Sequence, residues 1–549
     1  MSHPWERSYP EGARWDVPVE TGTLTGLLDR SIASYSDRPA MEFRERQITY
    51  RELGSFVDRA ASALRQLGIQ KGDRVALFVP NTPWHPVFFF GVLRAGGWVV
   101  HLSPLDPPRV LARKLSDSGA RLLVTTNLEP LLPHARRLLD EGAAGQVLVG
   151  EDALWGKFAG ALPIPDQTGV VSFSKFPAGP PREWPPVSPD DVALLQYTGG
   201  TTGVPRAAML THANLTAALS IANQWAVMLG RPPRPDDRIL GVLPLFHIFA
   251  LMSVLLRPLA NGAEILLRQR FDVETTLRDI SEKRATSFAA VPTMWIALAN
   301  HPTTKTTDFS SLGSTVSGGA PLPAEIAQRF HTLTGLRLGE GWGMTETAPV
   351  GTSLVPGGNY KPGAIGVPMP RVELEIVALE DSRRVLPSGE VGEIRVRGPN
   401  VFKGYWNRPE ETKKAFVDGW FMTGDLGYMD EDGIFYIVDR KKDMIISGGF
   451  NVYPRVIEDA IYEHPDVAEA AVIGIPDPYR GQAAKAFIVL KPVAKPITLD
   501  SLREFLKDKL GRHELPTALE IREELPHTAV GKLWRKELAD QEARNLQEA

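Results

Sequence analysis

Hydrophobic and polar positions alternate with two different periods in the first third of the chain. Short apolar runs predict strands at Arg74–Val79, Trp98–Leu102 and Arg121–Thr125. Amphipathic stretches between them predict helices at Trp84–Ala95 and Pro107–Ser118, with Gly, Pro and Asn at the joins. Strands that alternate with helices predict an α/β fold whose sheets are rich in parallel strands.

The pattern changes twice in the second half of the chain. Alternating polar and apolar residues from Val372 to Val401 predict short half-exposed strands, and we interpret them as a separate small β unit. After the charged cluster Asp439–Asp443, helical and strand patterns return in a compact run. The predicted elements of that run are a helix at Pro454–Glu463, strands near Val467–Ile473 and Ala484–Leu490, and a helix at Leu499–Leu510.

These changes predict the domain organisation. A chain of 549 residues is long enough for at least two folding units, since a domain usually has roughly 100–200 residues. We expect a large N-terminal domain of parallel-rich sheets with helices at residues 1–438 and a small α+β domain at 443–549, with the boundary at the charged cluster.

Composition narrows the function classes. The formal net charge of −4 gives no general electrostatic basis for binding nucleic acid. The absence of cysteine excludes disulfides, thiolate metal sites and a cysteine nucleophile. Met1–Pro10 lacks the basic start and apolar run of a signal peptide, which favours a cytoplasmic location. The apolar stretch Gly241–Leu256 is shorter than the roughly 18 residues of a membrane span, so we expect buried core and pocket lining there.

A glycine-rich run follows the strand predicted at Val192–Tyr197. It places Gly199, Gly200 and Gly203 among the hydroxyls of Thr198, Thr201 and Thr202, and it ends at Arg206. Glycines let successive backbone N–H groups converge on one anion, and the hydroxyls add donors. The run matches neither the Walker nor the dinucleotide pattern. Taken alone, it fits a phosphate-binding loop and a flexible surface turn equally well.

Further motifs follow in a fixed order. They are Gly-Trp-Gly-Met-Thr-Glu-Thr at 341–347, Trp-Phe-Met-Thr-Gly-Asp at 420–425, the charged 439–443 with Ser-Gly-Gly-Phe-Asn at 447–451, and Pro-His-Thr-Ala-Val-Gly-Lys at 526–532. With the glycine-rich run, they resemble the adenylate-forming superfamily of acyl-CoA synthetases, peptide-synthetase adenylation domains and beetle luciferases. The resemblance extends from about Thr49 to the C-terminus. The residues of these motifs are most similar to those of bacterial medium- and long-chain fatty-acid CoA ligases.

The resemblance implies ATP, Mg²⁺ and coenzyme A, and it assigns roles to single residues. The glycine-rich run and Arg206 would hold the β- and γ-phosphates, Thr345 the α-phosphate, and Glu346 the Mg²⁺. Asp425 would bind both ribose hydroxyls, and Lys532 would bridge the substrate carboxylate and the α-phosphate. Further implied positions for ATP, CoA or the hinge are Gly319, Ala320, Glu340, Gly341, Trp342, Ile437, Arg440, Lys442, Ser447, Gly448 and Gly449.

Three of these residues also have plain structural explanations. Trp342 fits a packed core tryptophan, and Asp425 fits an aspartate that caps a turn. Lys442 fits solvated surface among charges, whereas the resemblance implies a hinge at 439–442 between two domain poses and places Lys442 in it. Because the motifs occur together and in order, we favour the functional interpretation for all three.

The segment Pro244–Ala250 resembles the region beside the family's acyl pocket, and we include its His247 among the candidate catalytic residues. No aspartate is present there to pair with a substrate ammonium, which disfavours amino acids. Small residues at Gly318, Gly319, Ala320 and Gly341 resemble the wall of an acyl channel. A medium- or long-chain fatty acid is therefore expected, with dicarboxylates and aryl acids as alternatives.

Coenzyme A is preferred as acceptor because Ser447–Tyr453 and Pro476–Gly481 resemble the segments that line the family's pantetheine tunnel. The alternatives are an acyl-AMP ligase that loads a carrier protein, and a weakened nucleotide- or acyl-binding protein. The last is motivated by Arg206 and Ala207, where the family usually has lysine and glycine. The motif around Lys532 also resembles a site for protein acetyltransferases. The sequence leaves open a homodimer and a peripheral membrane contact.

Overall fold

The computed structural model describes residues 3–156, 160–177, 183–198, 206–320, 322–355, 361, 363–492, 494–528 and 533–548. Strands of these residues form three sheets. The first is a seven-stranded sheet in which all neighbours are parallel except the last pair. Its strands, in spatial order, are Val170–Ser172, Gln146–Gly150, Leu122–Thr126, Arg74–Leu77, Trp98–His101, Val192–Thr198 and Arg206–Thr211.

The second sheet has 14 strands and changes character along its length. One half is mostly parallel, and in spatial order its strands are Arg46–Thr49, Pro39–Phe43, Glu264–Leu267, Arg238–Gly241, Ser287–Ala290, Ser314–Ser317 and Gly339–Trp342. The other half is antiparallel and continues with Thr352–Ser353, Ala364–Pro368, Phe435–Arg440, Trp420–Met429, Gly392–Arg397 and Glu373–Val377, while Phe416–Val417 pairs with Trp420–Met429.

The third sheet contains five strands and lies in the C-terminal part of the chain. Its path is Phe450–Val452, Ile445–Ser447, Gly481–Leu490 and Val467–Asp477, with Ala518–Arg522 paired in parallel to Gly481–Leu490. A separate apolar core lies on this sheet and includes Ile457, Ile461 and Leu502.

Helices cover the sheets. The α-helices are Leu24–Tyr35, Tyr50–Gln66, Trp84–Arg94, Pro108–Ser118, Leu132–Asp140, His212–Met228, Ile248–Ala250, Arg257–Ala260, Val273–Ser281, Pro292–Asn300, Ala324–Thr334, Pro409–Ala415, Pro454–Tyr462, Leu499–Leu506 and Arg535–Glu548. A π-helix spans Leu251–Leu256, and 3₁₀ turns span Pro4–Ser8, Asp152–Trp155, Phe173–Lys175, Pro302–Thr306 and Thr345–Thr347.

Local sequence explains where several helices begin. Thr49 accepts a hydrogen bond from the backbone of Glu52, whose carboxylate accepts one from the backbone N–H of Thr49 in return. This capping box satisfies two backbone donors that the first helical turn would leave unpaired. Thr211 and Asn214 form the equivalent arrangement before His212–Met228, directly after the last strand of the first sheet.

The predicted α/β fold is confirmed, with parallel-rich sheets in the large N-terminal part and a smaller α+β part after them. The strands and helices predicted between Arg74 and Thr125 agree with the observed bounds within two residues. Most of Gly241–Leu256 is buried core, as expected. Within the described residues, no helix is both long and apolar enough to span a membrane.

One expectation about the fold is wrong. The strands predicted between Val372 and Val401 do not form a separate β unit, because Gly392–Arg397 pairs with Trp420–Met429. That strand pairs with Phe435–Arg440, which in turn pairs with Ala364–Pro368. Backbone hydrogen bonds therefore make these strands one end of the 14-stranded sheet.

Candidate active site

Asp425 is a buried carboxylate held between two donors. Its side chain is 4% exposed and lies on the strand Trp420–Met429, opposite Arg440 in the antiparallel register. The Arg440 Nε atom is 3.0 Å from Oδ1, and the Trp342 indole N–H donates to Oδ2 at 2.8 Å. Motifs whose contacting residues are 83 positions apart in sequence thus meet at one carboxylate. The predicted contact of Ile437 with nucleotide stays a prediction, and its strand position is opposite Gly427.

Glu346 is a second buried carboxylate, with a different environment. It lies in the 3₁₀ turn Thr345–Thr347 and is 6% exposed. The Tyr405 hydroxyl donates a hydrogen bond to its Oε1 at 2.8 Å. Burial raises the pKa of the Glu346 carboxyl, and the hydrogen bond from Tyr405 opposes that shift.

The two strands that flank the glycine-rich run pair with each other. Val192–Thr198 is antiparallel to Arg206–Thr211, with Thr198 opposite Arg206, and the Thr198 hydroxyl donates to the Arg206 carbonyl at 3.4 Å. The run therefore connects neighbouring strands at one edge of the first sheet. Its members Gly199, Gly200, Thr201, Thr202 and Gly203 lie outside the described residues.

Arg206 contacts residues about 200 positions later in the chain. Its Nε atom is 2.7 Å from Glu411 Oε2, and its guanidinium lies over the Tyr405 ring at 5.7 Å from the centroid. Arg206 and Glu346 therefore share Tyr405 as a neighbour. A guanidinium at this position can bind phosphate oxygens with two parallel donors.

Tyr405 was missed by the sequence analysis. The signal available was the run Gly-Tyr-Trp-Asn-Arg-Pro at 404–409, in which two aromatic residues precede a turn sequence. A turn of that kind has an ordinary structural explanation. The pairing of this segment with the strand Arg206–Thr211 and a backbone hydrogen bond from Phe402 to Glu346 bring the tyrosine to Glu346.

The predicted acyl-side residues follow strands of the second sheet. His247 caps the helix Ile248–Ala250, and its Nδ1 accepts from the Phe249 N–H at 3.3 Å. Gly318 faces Phe249, since a Cβ added there would lie 2.9 Å from the ring. Gly319 follows with a φ of +85°, and Ala320 is partly buried.

Gly341 also has a structural explanation, which lies in the pairing of its strand. A Cβ on Gly341 would lie 2.5 Å from the Thr352 carbonyl oxygen, on the paired strand Thr352–Ser353. Strand pairing thus requires a glycine here whether or not an acyl chain passes nearby.

Glu340, on the same strand as Trp342, is a further acid of this region whose pKa is raised. Burial raises the pKa of its carboxyl to about 7, and the charge of Arg455 opposes that shift. A carboxyl with a pKa near neutrality is a common feature of functional sites. Its proposed contact with nucleotide stays a prediction.

The predicted hinge lies between the second and third sheets. Lys442 is in a turn closed by hydrogen bonds from the Asp443 and Met444 N–H groups to the Arg440 carbonyl. Burial lowers the pKa of the Lys442 ammonium. The turn directly follows the last residue of Phe435–Arg440 and precedes Ile445–Ser447.

The glycine motif of the C-terminal part closes a tight hairpin. Ser447 is buried, and Gly448 and Gly449 have φ values of +59° and +85°. These left-handed conformations are the reason for two consecutive glycines between paired strands. Lys532 lies outside the described residues, and Leu533 after it bridges to His527.

The acidic residues fit a magnesium ion that arrives with nucleotide. Within the described ranges, no group of three or more histidine, aspartate or glutamate side chains could form a complete metal cage. Mg²⁺ is usually bound by one or two carboxylates together with substrate phosphates. Glu346 supplies a single buried carboxylate near Arg206, and this donor set suits such an ion.

Comparisons with known proteins identify the family of the chain. Residues 28–406 match the family model for AMP-binding enzymes, and residues 456–532 match the model for the C-terminal domain of that family. The chain is 39% identical to the long-chain-fatty-acid–CoA ligase of Bacillus subtilis strain 168, over 99% of this chain and 98% of that protein.

Two further similar proteins have different names. A feruloyl-CoA synthase from an Amycolatopsis species is 39% identical over 89% of this chain and 93% of its own length. The ATP-bound crystal structure of MatB from Rhodopseudomonas palustris has a TM-score of 0.84 and 31% identity, and covers 94% of this chain and 98% of that one. The chain therefore belongs to the AMP-binding enzyme family and is an acid–thiol ligase of the adenylate-forming superfamily.

Proposed function

We propose that the protein converts a medium- or long-chain fatty acid to its acyl-CoA, with ATP as the energy source. The substrate carboxylate attacks the α-phosphorus of ATP, forming the acyl-adenylate and releasing pyrophosphate. The thiol of coenzyme A then attacks the acyl carbonyl, and AMP leaves. The observation that carries this proposal is the similarity to a long-chain-fatty-acid–CoA ligase along 99% of the chain.

The apolar character of the acyl-side segment supports a fatty substrate. Leu243, Leu245 and Ile248 are buried, and Phe249 packs against the space above Gly318. An unpaired ammonium or second carboxylate in such surroundings would lose hydration without a partner. His247 is the polar side chain at the start of this helix, and we propose that it lies beside the acid.

We propose that nucleotide binding is divided between two sides of the site. On one side, Asp425 accepts hydrogen bonds from the ribose hydroxyls, next to Trp342 and Arg440. On the other side, Arg206 binds phosphate oxygens, Thr345 contacts the α-phosphate and Glu346 binds Mg²⁺. The ion would offset negative charge that accumulates when a carboxylate approaches a phosphate.

The domain organisation also stays a proposal, with residues 1–438 and 443–549 moving about the hinge 439–442. It is supported by the change of sheet between Arg440 and Ile445. Lys532 belongs to the second unit and would act in adenylation, where its ammonium screens two approaching anions. Acetylation of Lys532 would remove that charge. A cytoplasmic location, a homodimer and a peripheral membrane contact remain expectations.

A panel of acids tests the function. Fatty acids of increasing chain length, an aryl acid such as ferulate and a dicarboxylate would be assayed for AMP release with and without coenzyme A. We expect the highest kcat/KM with medium- or long-chain fatty acids, and acyl-CoA formed in equal amount to AMP. AMP release without a thioester product would contradict coenzyme A as acceptor.

An aryl acid is the second candidate substrate, because the feruloyl-CoA synthase is as similar in identity as the fatty-acid ligase. It is less well supported, since the match covers 89% of this chain instead of 99%. A kcat/KM for ferulate above that of every fatty acid would replace the first proposal with this one.

A further inference from the structure

Residues 400–412, named here the connecting segment, contact both the turn Thr345–Thr347 and the strand Arg206–Thr211. The Phe402 N–H donates to the Glu346 carbonyl at 2.8 Å, which fixes the segment to the turn that carries the candidate metal ligand. Two residues later, the Gly404 carbonyl accepts from the Met209 N–H at 2.9 Å, on the strand that begins at Arg206. The segment therefore has backbone contacts to both elements.

From this position, Tyr405 contacts the side chains of both Glu346 and Arg206. Its hydroxyl donates to Glu346 Oε1 at 2.8 Å, and its ring faces the Arg206 guanidinium at 5.7 Å. Tyr405 is 8% exposed and Glu346 is 6% exposed, so water competes poorly for this hydrogen bond. The contact is consequently a defined feature of the site.

The chemical type of the donor matters. A lysine or arginine in this position would neutralise the Glu346 carboxylate and reduce its attraction for a cation. A phenol donates a hydrogen bond without adding positive charge. It can hold one carboxylate oxygen in place while the negative charge remains available.

The same segment also fixes Arg206. Glu411 Oε2 is 2.7 Å from Arg206 Nε, and the Thr412 hydroxyl accepts from the Tyr405 N–H at 2.9 Å. The tyrosine backbone is thus tied to the helical turn that supplies the carboxylate for Arg206. A movement of the Tyr405 backbone would therefore also displace the Glu411 carboxylate that contacts Arg206.

We propose that Tyr405 is a positioning residue, which orients Glu346 toward Mg²⁺ and keeps Arg206 at the adjacent phosphate position. This inference rests on the proposed role of Glu346 as the metal ligand. It predicts that the Tyr405 hydroxyl strengthens the binding of Mg²⁺ with ATP, and that it contributes little to the binding of ATP alone.

The test is Tyr405→Phe, which removes the hydroxyl and keeps the ring that packs on Phe402 at a centroid distance of 4.9 Å. ATP binding to the full-length protein would be measured by calorimetry, once with Mg²⁺ and once with EDTA. We expect the ATP affinity with Mg²⁺ to fall about tenfold, as for loss of a hydrogen bond to a charged group. Affinity in EDTA should be unchanged, which also shows that the variant is folded.

Tyr436→Phe is the matched control. The Tyr436 hydroxyl donates to the Asp430 carboxylate at 3.1 Å, so the variant also removes a tyrosine–carboxylate hydrogen bond, at a different carboxylate. ATP affinity should be unchanged in this variant with Mg²⁺ and with EDTA.

A cycle with Glu346→Gln separates the possible results. If Tyr405 acts through Glu346, Tyr405→Phe should cause no further loss of Mg²⁺-dependent affinity in the Glu346→Gln background. Normal affinity in Tyr405→Phe, while Glu346→Gln loses its Mg²⁺ dependence, would overturn this inference alone. Equal losses with Mg²⁺ and with EDTA would show a general structural role instead. Wild-type affinity that is independent of Mg²⁺ would overturn the metal role of Glu346 and this inference together.

Discussion

The proposed ribose side and the proposed phosphate side of the site each contain one buried carboxylate, but the partners of the two carboxylates differ in charge. Asp425 is paired with the Arg440 guanidinium and accepts a hydrogen bond from Trp342. Glu346 receives its hydrogen bond from the neutral Tyr405. The two residues, counted with their backbone, are almost equally buried, at 3% and 6% exposure. Burial alone therefore does not distinguish them.

The difference indicates where the compensating charge comes from. A buried carboxylate next to a guanidinium is stabilised as an anion by the protein itself. A buried carboxylate with a neutral donor keeps an unbalanced charge, and the raised pKa of Glu346 is the physical sign of that cost. We infer that Asp425 is ready to accept neutral hydroxyls, whereas Glu346 is ready for a cation. Four predictions test this contrast.

The largest effect is expected for Glu346→Gln, since it removes the charge and keeps the shape. Acyl-adenylate formation, measured as pyrophosphate release, should fall by about 100-fold or more, the usual effect of losing one electrostatic stabiliser of a transition state. The affinity for ATP in EDTA should stay at the wild-type value. Wild-type pyrophosphate release by this variant would remove Glu346 from the metal site.

Asp425→Ala should cause the next largest loss, and the loss should not depend on Mg²⁺. The variant leaves the buried Trp342 N–H and the Arg440 guanidinium without their carboxylate, in addition to removing the ribose contact. We expect ATP affinity to fall about 10- to 100-fold with and without Mg²⁺, as for buried donors left unpaired.

Asp418→Ala provides the control for Asp425→Ala. Asp418 also pairs with an arginine, Arg383, but both side chains are more than 60% exposed. Exposed pairs contribute little, so nucleotide binding should not change. A defect in Asp425→Ala that appears only with Mg²⁺ would contradict the division into two sides.

The sequence alone indicated that the residues of the proposed ribose side belong to one site. Trp342, Asp425 and Arg440 belong to motifs that occur in a recognisable order. In the structure, Trp342 and Arg440 both contact the Asp425 carboxylate. The alternation of apolar runs and amphipathic stretches likewise predicted the parallel-rich sheets. Both signals are local in sequence, so they can be recognised without the fold.

The phosphate side could not be predicted to the same depth. Tyr405 matters because its segment pairs with a strand about 200 residues earlier, and no local pattern reveals such a pairing. The continuation of Gly392–Arg397 into the large sheet was missed for the same reason, as it depends on backbone pairing with Trp420–Met429. Contacts between distant segments depend on the topology of the chain. The periodicity within one segment does not show with which distant segment it pairs.

A third carboxylate, Glu340, sharpens the comparison because burial raises its pKa to about 7. The folded state therefore binds more protons than the unfolded state between the ordinary glutamate pKa and 7. Its contribution to stability is fully present at low pH and is lost as pH rises through about 7. Glu340→Gln should remove this loss.

The measurement is urea unfolding at pH 5 and pH 8. We expect the free energy of unfolding of Glu340→Gln, relative to wild type, to rise between these values by on the order of 1 kcal/mol. Glu431→Gln, at an exposed glutamate, serves as the control and should show no such change. A constant difference between Glu340→Gln and wild type would show that Glu340 does not titrate in this range.

The smallest effect is expected for Arg206→Lys, which restores the residue usual in the family. Lysine keeps the positive charge for phosphate and for Glu411, which is 2.7 Å from Arg206 Nε. It loses the planar group that lies over the Tyr405 ring. Because charge dominates binding to a phosphate, pyrophosphate release should stay within about threefold of wild type.

Arg206→Ala is the comparison variant, since it removes the charge as well, and its pyrophosphate release should fall about tenfold or more. A folded Arg206→Lys variant as inactive as Arg206→Ala would show that the phosphate side requires the two parallel donors of a guanidinium. Phosphate binding would then depend on the geometry of the donors, and the two sides of the site would differ in more than the charge of the groups around Asp425 and Glu346.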